Sequence, residues 1–387
     1  MDAPTSTPIP PATARAALHA RHAEQLRRVE AAQDQLAQAQ ADLVSTEAEL
    51  VRLTQQAVAE ADPTHQTSGV ALILNPASKS LLDGAHSPEA IVAALHAVGI
   101  TPQLELTTPA IMAHQLARKA VDRGDWLVIA AGGDGTIEEV ATALIHSPAT
   151  LGILPLGTMN NLARALGIPL DLPDAALLLA IGATRHVDVG RVVTPDNSIE
   201  GYFLETAGIG LSAIAAPMGE DAEKGRWSNL LSKLGDFFAF TSTGMTLQCD
   251  DEAPRQSQTH LVTISNAPLF GNNMLVAPDA KIDDGLLDVV VYEGMELVDL
   301  TRYFFGISSG GRVNDGRIQV HRARRLRVIA DTPLPVNADL DVLAAQPSWE
   351  IEVVPRALSV IVGNGIALTL PVAAAPVTPP VAGPPLV

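Results

Sequence analysis

Trp126-Leu127-Val128-Ile129-Ala130-Ala131-Gly132-Gly133-Asp134-Gly135-Thr136-Ile137-Glu138-Glu139-Val140 decides the fold. An apolar run, a glycine turn and a helix start follow without a break, which reads as strand, tight turn, helix. Three glycines let the backbone take positive φ and approach a ligand with no Cβ in the way, while the first N–H groups of the helix point at an arriving anion. The turn therefore reads as a phosphate cradle. It reads equally as an ordinary strand-to-helix turn in which Thr136 caps the helix and Glu139 closes a capping box, and the two readings are compatible. Asp134 sits awkwardly in a bare phosphate site, because its charge repels the ligand unless a metal or a proton intervenes.

A second turn of this kind follows in Ile153-Leu154-Pro155-Leu156-Gly157-Thr158-Met159-Asn160-Asn161-Leu162-Ala163-Arg164. Two such turns from adjacent strands flank one crevice, outside the carboxyl ends of the strands of a doubly wound sheet. Outward from them, Val70-Ala71-Leu72-Ile73-Leu74 is a continuous apolar strand ending at Asn75-Pro76-Ala77-Ser78, Leu104 to Thr107 alternates as a strand, and Ala110 to Val121 reads as a helix. The order βαβαβα predicts a parallel sheet covered on both faces. From about Tyr202 the chain changes to short strands, among them Leu261 to Ile264, Leu287 to Val291 and Leu326 to Ile329, which predicts an antiparallel β-sandwich.

The ends read differently. From Thr13 to Glu60 there is no glycine or proline, and Val29, Leu36, Leu43 and Leu50 recur every seven residues, with Ala32, Ala39, Thr46 and Leu53 as a second stripe. That predicts a long helix in a coiled-coil hairpin or dimer seam, or docked on its own domain. Expected boundaries are a helical extension and polar linker over 1–66, an α/β domain over 67–190, a β-rich domain over 191–366 whose last strands return toward the first, and a proline-rich disordered tail over 367–387.

With 387 residues, 47% of them apolar, the chain can fill a sizeable core, while a formal charge of −18 argues against sequence-independent nucleic-acid binding. No apolar run approaches a membrane span and Met1 to Thr5 lacks the features of a signal peptide, so the expected location is cytoplasmic. Cys249 is the single cysteine, which forbids an intrachain disulfide. Arg317 to Arg327 is the one dense basic stretch, either a headgroup-facing surface or a polar sheet face. Between Met218 and Phe240, Trp227, Leu230, Leu231, Leu234, Phe237 and Phe238 form either a lipid lip or core.

The pair Gly-Gly-Asp-Gly-Thr and Pro-Leu-Gly-Thr-x-Asn resembles the diacylglycerol kinase catalytic domain, shared by bacterial lipid kinases and by sphingosine and ceramide kinases. The resemblance implies a Rossmann-like, NAD kinase-like first domain, a β-sandwich second domain, and ATP between them. Carried over residue by residue, it places Asn75, Thr107, Gly132, Gly133, Asp134, Gly135, Thr136, Gly157, Thr158 and Asn160 on the nucleotide, and Arg164 with Asp188 in a bracing ion pair. Lys79 stands where the family has glycine and is a possible point charge for a phosphate; Thr108 is an alternative to Thr107. Asn161 stands where aspartate is usual, and Glu205 where asparagine is usual. Ala277 to Asp288 resembles the family's Asp-Asp-Gly loop, which implies Mg²⁺ held by the Asp284 carboxylate and the carbonyls of Lys281 and Leu286. The family's Asp-Gly-Glu triplet corresponds to Asp339-Leu340-Asp341, with Asp339 the candidate base, Asp134 organising the metal and its water, and Asp341 one methylene shorter than glutamate.

The implied activity is ATP-dependent phosphorylation of a hydroxyl on diacylglycerol or a related long-chain lipid at the inner membrane surface. A homodimer through the helical extension or the β-domain is compatible. A silenced nucleotide-binding scaffold and a soluble-substrate kinase are the alternatives, the latter because NAD kinases and phosphofructokinases share the first turn.

Overall fold

Continuous apolar runs bounded by Gly69 and Asn75, and by Asp125 and Gly133, leave no polar face, so the strands they form have to be covered on both sides. A computed structural model describes residues 69–215, 237–270, 274–308 and 315–363, with scattered helical positions between Gln25 and Glu49. The proposed seam falls almost wholly outside the described residues; of its positions, Ala32 and Ala39 are described, both helical and exposed. The linker, the tail and most of the 218–240 stretch also lie outside them.

The first half runs β1 (Val70–Leu74), α1 (Lys79–Leu82), α2 (Pro88–Ala97), β2 (Gln103–Leu106), α3 (Ala113–Arg123), β3 (Leu127–Gly132), α4 (Asp134–Leu144), β4 (Thr150–Pro155), α5 (Asn161–Ala165) and α6 (Leu172–Ile181). The strands lie parallel in the order β2-β1-β3-β4. Ala117 and Ala120 of α3 and Ile137 and Val140 of α4 cover the face carrying Ile73, Val128 and Ile153. On the opposite face a Cβ at Gly152 would meet Leu179 of α6 at 2.8 Å and Ile129 at 3.2 Å, so α6 closes tightly there. Leu72, Ile73 and Leu74 are fully buried, each contributing roughly 1.5–3 kcal/mol by leaving water. Local signals set the helix ends: Pro88 occupies the first turn of α2 behind Ser87, whose Oγ accepts the Ala90 N–H, and α3 stops at Gly124 with φ 89°.

The second half comprises β5 (Ala183–Val193), β6 (Glu200–Phe203), β7 (Thr206–Gly210), β8 (Thr243–Cys249), β9 (Arg255–Thr259), β10 (Leu261–Ser265), β11 (Leu269–Phe270), β12 (Met274–Leu275), β13 (Leu287–Tyr292), α7 (Leu297–Ser308), β14 (Ile318–Ala323), β15 (Arg325–Ala338) and β16 (Asp341–Val362). Its strand pairs are antiparallel. β15 pairs with β8 through Leu326 to Ala330 and, past irregularities between Ile329 and Val336, with β7 through Val336 to Ala338. It thus passes from one layer of a sandwich to the other, and Trp349, Phe203, Val262 and Val328 fill the space between. β16 spans 22 residues, pairing antiparallel with β15 and β5, and then through Ser359 and Val360 in parallel with β4. One mixed sheet therefore joins both halves.

Candidate functional site

The two glycine turns meet backbone to backbone at the carboxyl ends of β3 and β4. Leu156 N–H donates to the Gly132 carbonyl at 2.8 Å, and a Cβ on Gly157 would lie 2.5 Å from the Gly133 Cα. Positive φ is not what these positions need: Gly132, Gly133, Gly135 and Gly157 all lie outside the left-handed region. Lack of room is the cause, since a Cβ on Gly132 would sit 2.6 Å from that of Thr136.

α4 begins at Asp134 behind an extended Gly133, three residues before the start expected from a Thr136 cap. Thr136 is inside the helix and its Oγ1 accepts the Asn75 Nδ2–H at 2.9 Å, so the expected capping box does not form. Glu139 instead accepts the His114 N–H at 3.3 Å. Ile137 N–H donates to the Gly133 carbonyl at 3.1 Å, closing the first turn of α4.

Asp134 ties the turns together. Its Oδ2 accepts the Asn160 N–H at 2.9 Å and its Oδ1 the Asn161 N–H at 2.7 Å. Asn160 adopts φ 52° and closes the second turn on itself, its Oδ1 accepting the Gly157 N–H and its Nδ2 donating to the Gly157 carbonyl, both at 3.0 Å. Asn75 completes the frame: its N–H donates to the Ala131 carbonyl and its Oδ1 accepts the Ala77 N–H. Three strand ends and both turns are thereby fixed before any ligand arrives.

Acids from the β-rich half face this frame. Asp339, at φ 46°, accepts three successive N–H groups: Leu204 at 2.5 Å, Glu205 at 3.0 Å and Thr206 at 2.8 Å. Burial pushes its carboxyl up from 3.8 to about 7, against the downward pull of those donors. Glu205 stands well above the ordinary range through burial and the charges of Asp339 and Asp134, with the Asn161 side chain hydrogen-bonded to it. The two departures noted in the sequence, Asn161 and Glu205, are therefore partners. Glu138 is likewise raised, by burial and then by Asp339, Asp341 and Glu205, with the Leu340 N–H facing its carboxylate. Leu340 leans on the first turn of α4, its Cδ1 3.5 Å from where a Gly135 Cβ would stand. Sequence reading passed over Glu138; its spacing of four from Asp134, which puts both carboxylates on one helix face, was the available signal.

Residues 69–192 match the diacylglycerol kinase catalytic domain, and residues 206–362 match the YegS C-terminal NAD kinase beta sandwich-like domain. A diacylglycerol kinase of Mycobacterium tuberculosis is 30% identical over 256 residues, covering 64% of this chain and 81% of that protein. The chain belongs to the diacylglycerol kinase catalytic domain family. A probable lipid kinase YegS-like of Pseudomonas aeruginosa is 32% identical over 281 residues, 72% of this chain and 90% of that one. A crystal structure of a putative diacylglycerol kinase from Bacillus anthracis shares the fold, with a TM-score of 0.60 at 21% identity over 78% of this chain and 100% of that one.

Other residues carried over from the family fall out differently. Thr107 follows β2 with its N–H on the Leu74 carbonyl, placing it beside the Asn75 turn, whereas Thr108 Oγ1 is occupied by the Ala110 and Ile111 N–H groups. Thr158 is exposed between the turn and α5. Lys79 pairs with Asp83 one turn along α1. The expected Arg164–Asp188 ion pair does not form: Arg164 Nε donates to the Met159 carbonyl at 2.8 Å, and buried Asp188 accepts the Gly285 and Arg356 N–H groups at 2.6 and 2.7 Å. Backbone donors at the crossing of β5, β16 and the Asp-Asp-Gly loop claim that carboxylate first.

The Asp-Asp-Gly loop is equally self-contained. Asp284 Oδ1 accepts the Leu286 N–H at 3.1 Å, its Oδ2 is paired with Arg322, and Asp283 is paired with Arg185. Arg322 Nε also lies 3.5 Å from Asp288, whose carboxyl burial raises. Among the described residues no group of three acidic, histidine or cysteine side chains is placed to hold a metal. The expected Mg²⁺ set of Asp284, Lys281 and Leu286 does not fit this arrangement, because a guanidinium already neutralises the one carboxylate.

Within the basic stretch, Arg317 pairs with Asp299 and Asp315, and Arg322 on β14 with Asp284. A cavity of about 330 Å³, lined by Leu247, Cys249, Val289, Val291, Glu293 and His321 among others, opens on the β-rich half and includes none of the glycine-turn residues.

Proposed function

We propose that this chain is an ATP-dependent lipid kinase that transfers the γ-phosphoryl group to a hydroxyl of diacylglycerol or a related long-chain lipid. The observation that carries this reading is the pair of glycine turns held edge to edge by Asp134, with helix N–H groups beside them and acids from the second half across the crevice. Phosphoryl transfer asks the protein mainly for positioning and charge stabilisation, which a prebuilt backbone cradle supplies. Gly133 and Gly157 let the two turns close on each other, so that the N–H groups at the start of α4 are held ready for the phosphates, and the lipid hydroxyl approaches from the side of Asp339. No step is assigned to a metal on the Asp284 loop, since Arg322 holds that carboxylate.

The relatives named as diacylglycerol or lipid kinases favour a lipid acceptor over a soluble one. A bilayer is the natural source of such a substrate. α7 buries Leu300, Tyr303 and Ile307 and leaves Val298 and Phe305 67% and 75% exposed on its outer face, with Arg302 between them, a side suited to a membrane surface. Among the described residues no helix is long and apolar enough to cross a membrane.

Purified protein incubated with labelled ATP and mixed micelles of diacylglycerol, sphingoid base or ceramide tests the reading. Label in one lipid supports it. Nucleotide binding without labelled lipid removes it in favour of a binding protein.

A further inference from the structure

We infer that Leu340 is a specificity-determining residue: its side chain disfavours water at the γ-phosphorus and favours an acceptor whose hydroxyl is carried on an apolar body, a role that rests on the kinase reading above. Ala338 and Asp341 form the last pair of the β15–β16 ladder, so Asp339 and Leu340 make a two-residue turn. The left-handed φ falls on Asp339, and Leu340 lies outside that region. The turn is held from both strands beside it. Asp339 N–H donates to the Thr206 carbonyl at 2.8 Å, its carboxylate accepts the N–H groups of Leu204, Glu205 and Thr206, and its carbonyl accepts the Asn337 Nδ2–H at 3.1 Å. Leu340 is therefore mounted on a fixed backbone.

From there its side chain reaches the first half. Cδ1 stands 3.5 Å from where a Gly135 Cβ would be, at contact distance from the second residue of α4, at the helix end suited to a phosphate. One apolar side chain, 45% exposed, thus touches the phosphate-binding end of α4 while its neighbour in the chain is the candidate base. An acceptor oxygen within reach of both Asp339 and the γ-phosphorus has Leu340 at its side. In lipid phosphorylation the hydroxyl oxygen forms a bond to the γ-phosphorus of a nucleoside triphosphate. The bond from that phosphorus to the β–γ bridging oxygen breaks, and its electron pair leaves with the nucleoside diphosphate. The hydroxyl proton passes to Asp339, whose Oδ2 accepts the Leu204 N–H alone among the described residues. Hydrolysis is the same step with water as the acceptor, and it yields inorganic phosphate. The two differ in what surrounds the attacking oxygen. A water against Leu340 gives up hydrogen bonding on that side without return, whereas the carbon stem of a lipid alcohol gains apolar contact there.

The test compares the full chain with Leu340→Ala, Leu340→Gln and Leu340→Met variants in diacylglycerol micelles with γ-labelled ATP, counting both labelled lipid and released inorganic phosphate. Nucleotide affinity by equilibrium binding and the thermal midpoint are recorded alongside. Leu340→Ala is expected to raise the ratio of phosphate released to lipid labelled by about tenfold, with nucleotide affinity and midpoint kept. Leu340→Gln, of similar size but polar, is expected to shift the ratio in the same direction, and Leu340→Met, which restores apolar volume, to return it toward the parent's. A leucine with a merely structural role would move the midpoint and lower both products together. An unchanged ratio in Leu340→Ala and Leu340→Gln, in a parent background that labels lipid, overturns the assignment. A parent chain that binds nucleotide but labels no lipid overturns the kinase reading itself, and the role falls with it.

Discussion

Asp339 is where the character of the site is most concentrated. A carboxylate that accepts three backbone N–H groups usually sits low, yet burial beside Asp134 carries this one to about 7. The native state therefore holds a proton that the unfolded chain, near 3.8, releases. Stability from this group is fully present below about pH 3.8 and is lost as pH rises through about 7, the reverse of a salt-bridged acid. The expected outcome is a denaturation midpoint that falls between pH 5 and pH 8, with a shallower fall in Asp339→Asn; equal slopes in the two proteins would contradict it. Glu138 and Glu205 shift in the same direction and add to the parent's slope. None of this was legible from Asp339-Leu340-Asp341 as letters. The sequence carried the acid and its altered neighbour, but the N–H groups that claim the carboxylate come from residues more than 130 positions away. Leu340 also proved tolerable where glycine was expected, because the left-handed φ falls on Asp339, a residue type that visits that region.

At the scale of single elements, strand reading succeeded where a run of apolar residues was bounded by glycine, proline or asparagine. Val70 to Leu74 is a strand at the residues expected, since nothing competes with burial on both faces. The start of α4 was misplaced because Thr136 and Glu139 mimic a capping box, while the true boundary follows from Gly133 pressed against Gly157 across two strands. Contacts of that range leave no local mark. The Asp-Asp-Gly loop shows the same limit: its acids were readable, but Arg322 reaches Asp284 only because β13 and β14 pair with Asp288 opposite Arg322. An arginine built into the neighbouring strand supplies a cation to the loop's Asp284 carboxylate. Thermal unfolding of the parent should accordingly shift by less than about 1 °C between EDTA and millimolar Mg²⁺. Arg322→Gln, which exposes Asp284 and Asp288 to one another, should lose stability in EDTA and regain part of it with Mg²⁺. A parent stabilised by Mg²⁺, with the effect abolished in Asp284→Asn, would show that the metal outcompetes the guanidinium.

For the molecule as a whole, the governing feature is one sheet running through both halves. The change from α/β to β-rich composition was legible. The length of β16 was not, because Pro355 and Arg356 interrupt a pattern that hydrogen bonding to β5 carries across an irregularity between Val354 and Leu358. Since β16 completes β4, β5 and β15 together, residues 69–363 should unfold in a single calorimetric transition, and deletion from Pro355 onward should unfold the first half as well as weaken the second. A stable, nucleotide-binding fragment ending before β16 would contradict this.

The same strand bears on how the chain reaches its fold during synthesis. β4 lies early in the sequence, yet its second neighbour is supplied by Ser359 and Val360, so a nascent chain carries an open, apolar sheet edge until more than 200 further residues have been translated. Edges of that kind recruit other strands. Growing cells should therefore keep this protein in the hands of a chaperone for most of its time on the ribosome, and release it only when its last strand has emerged.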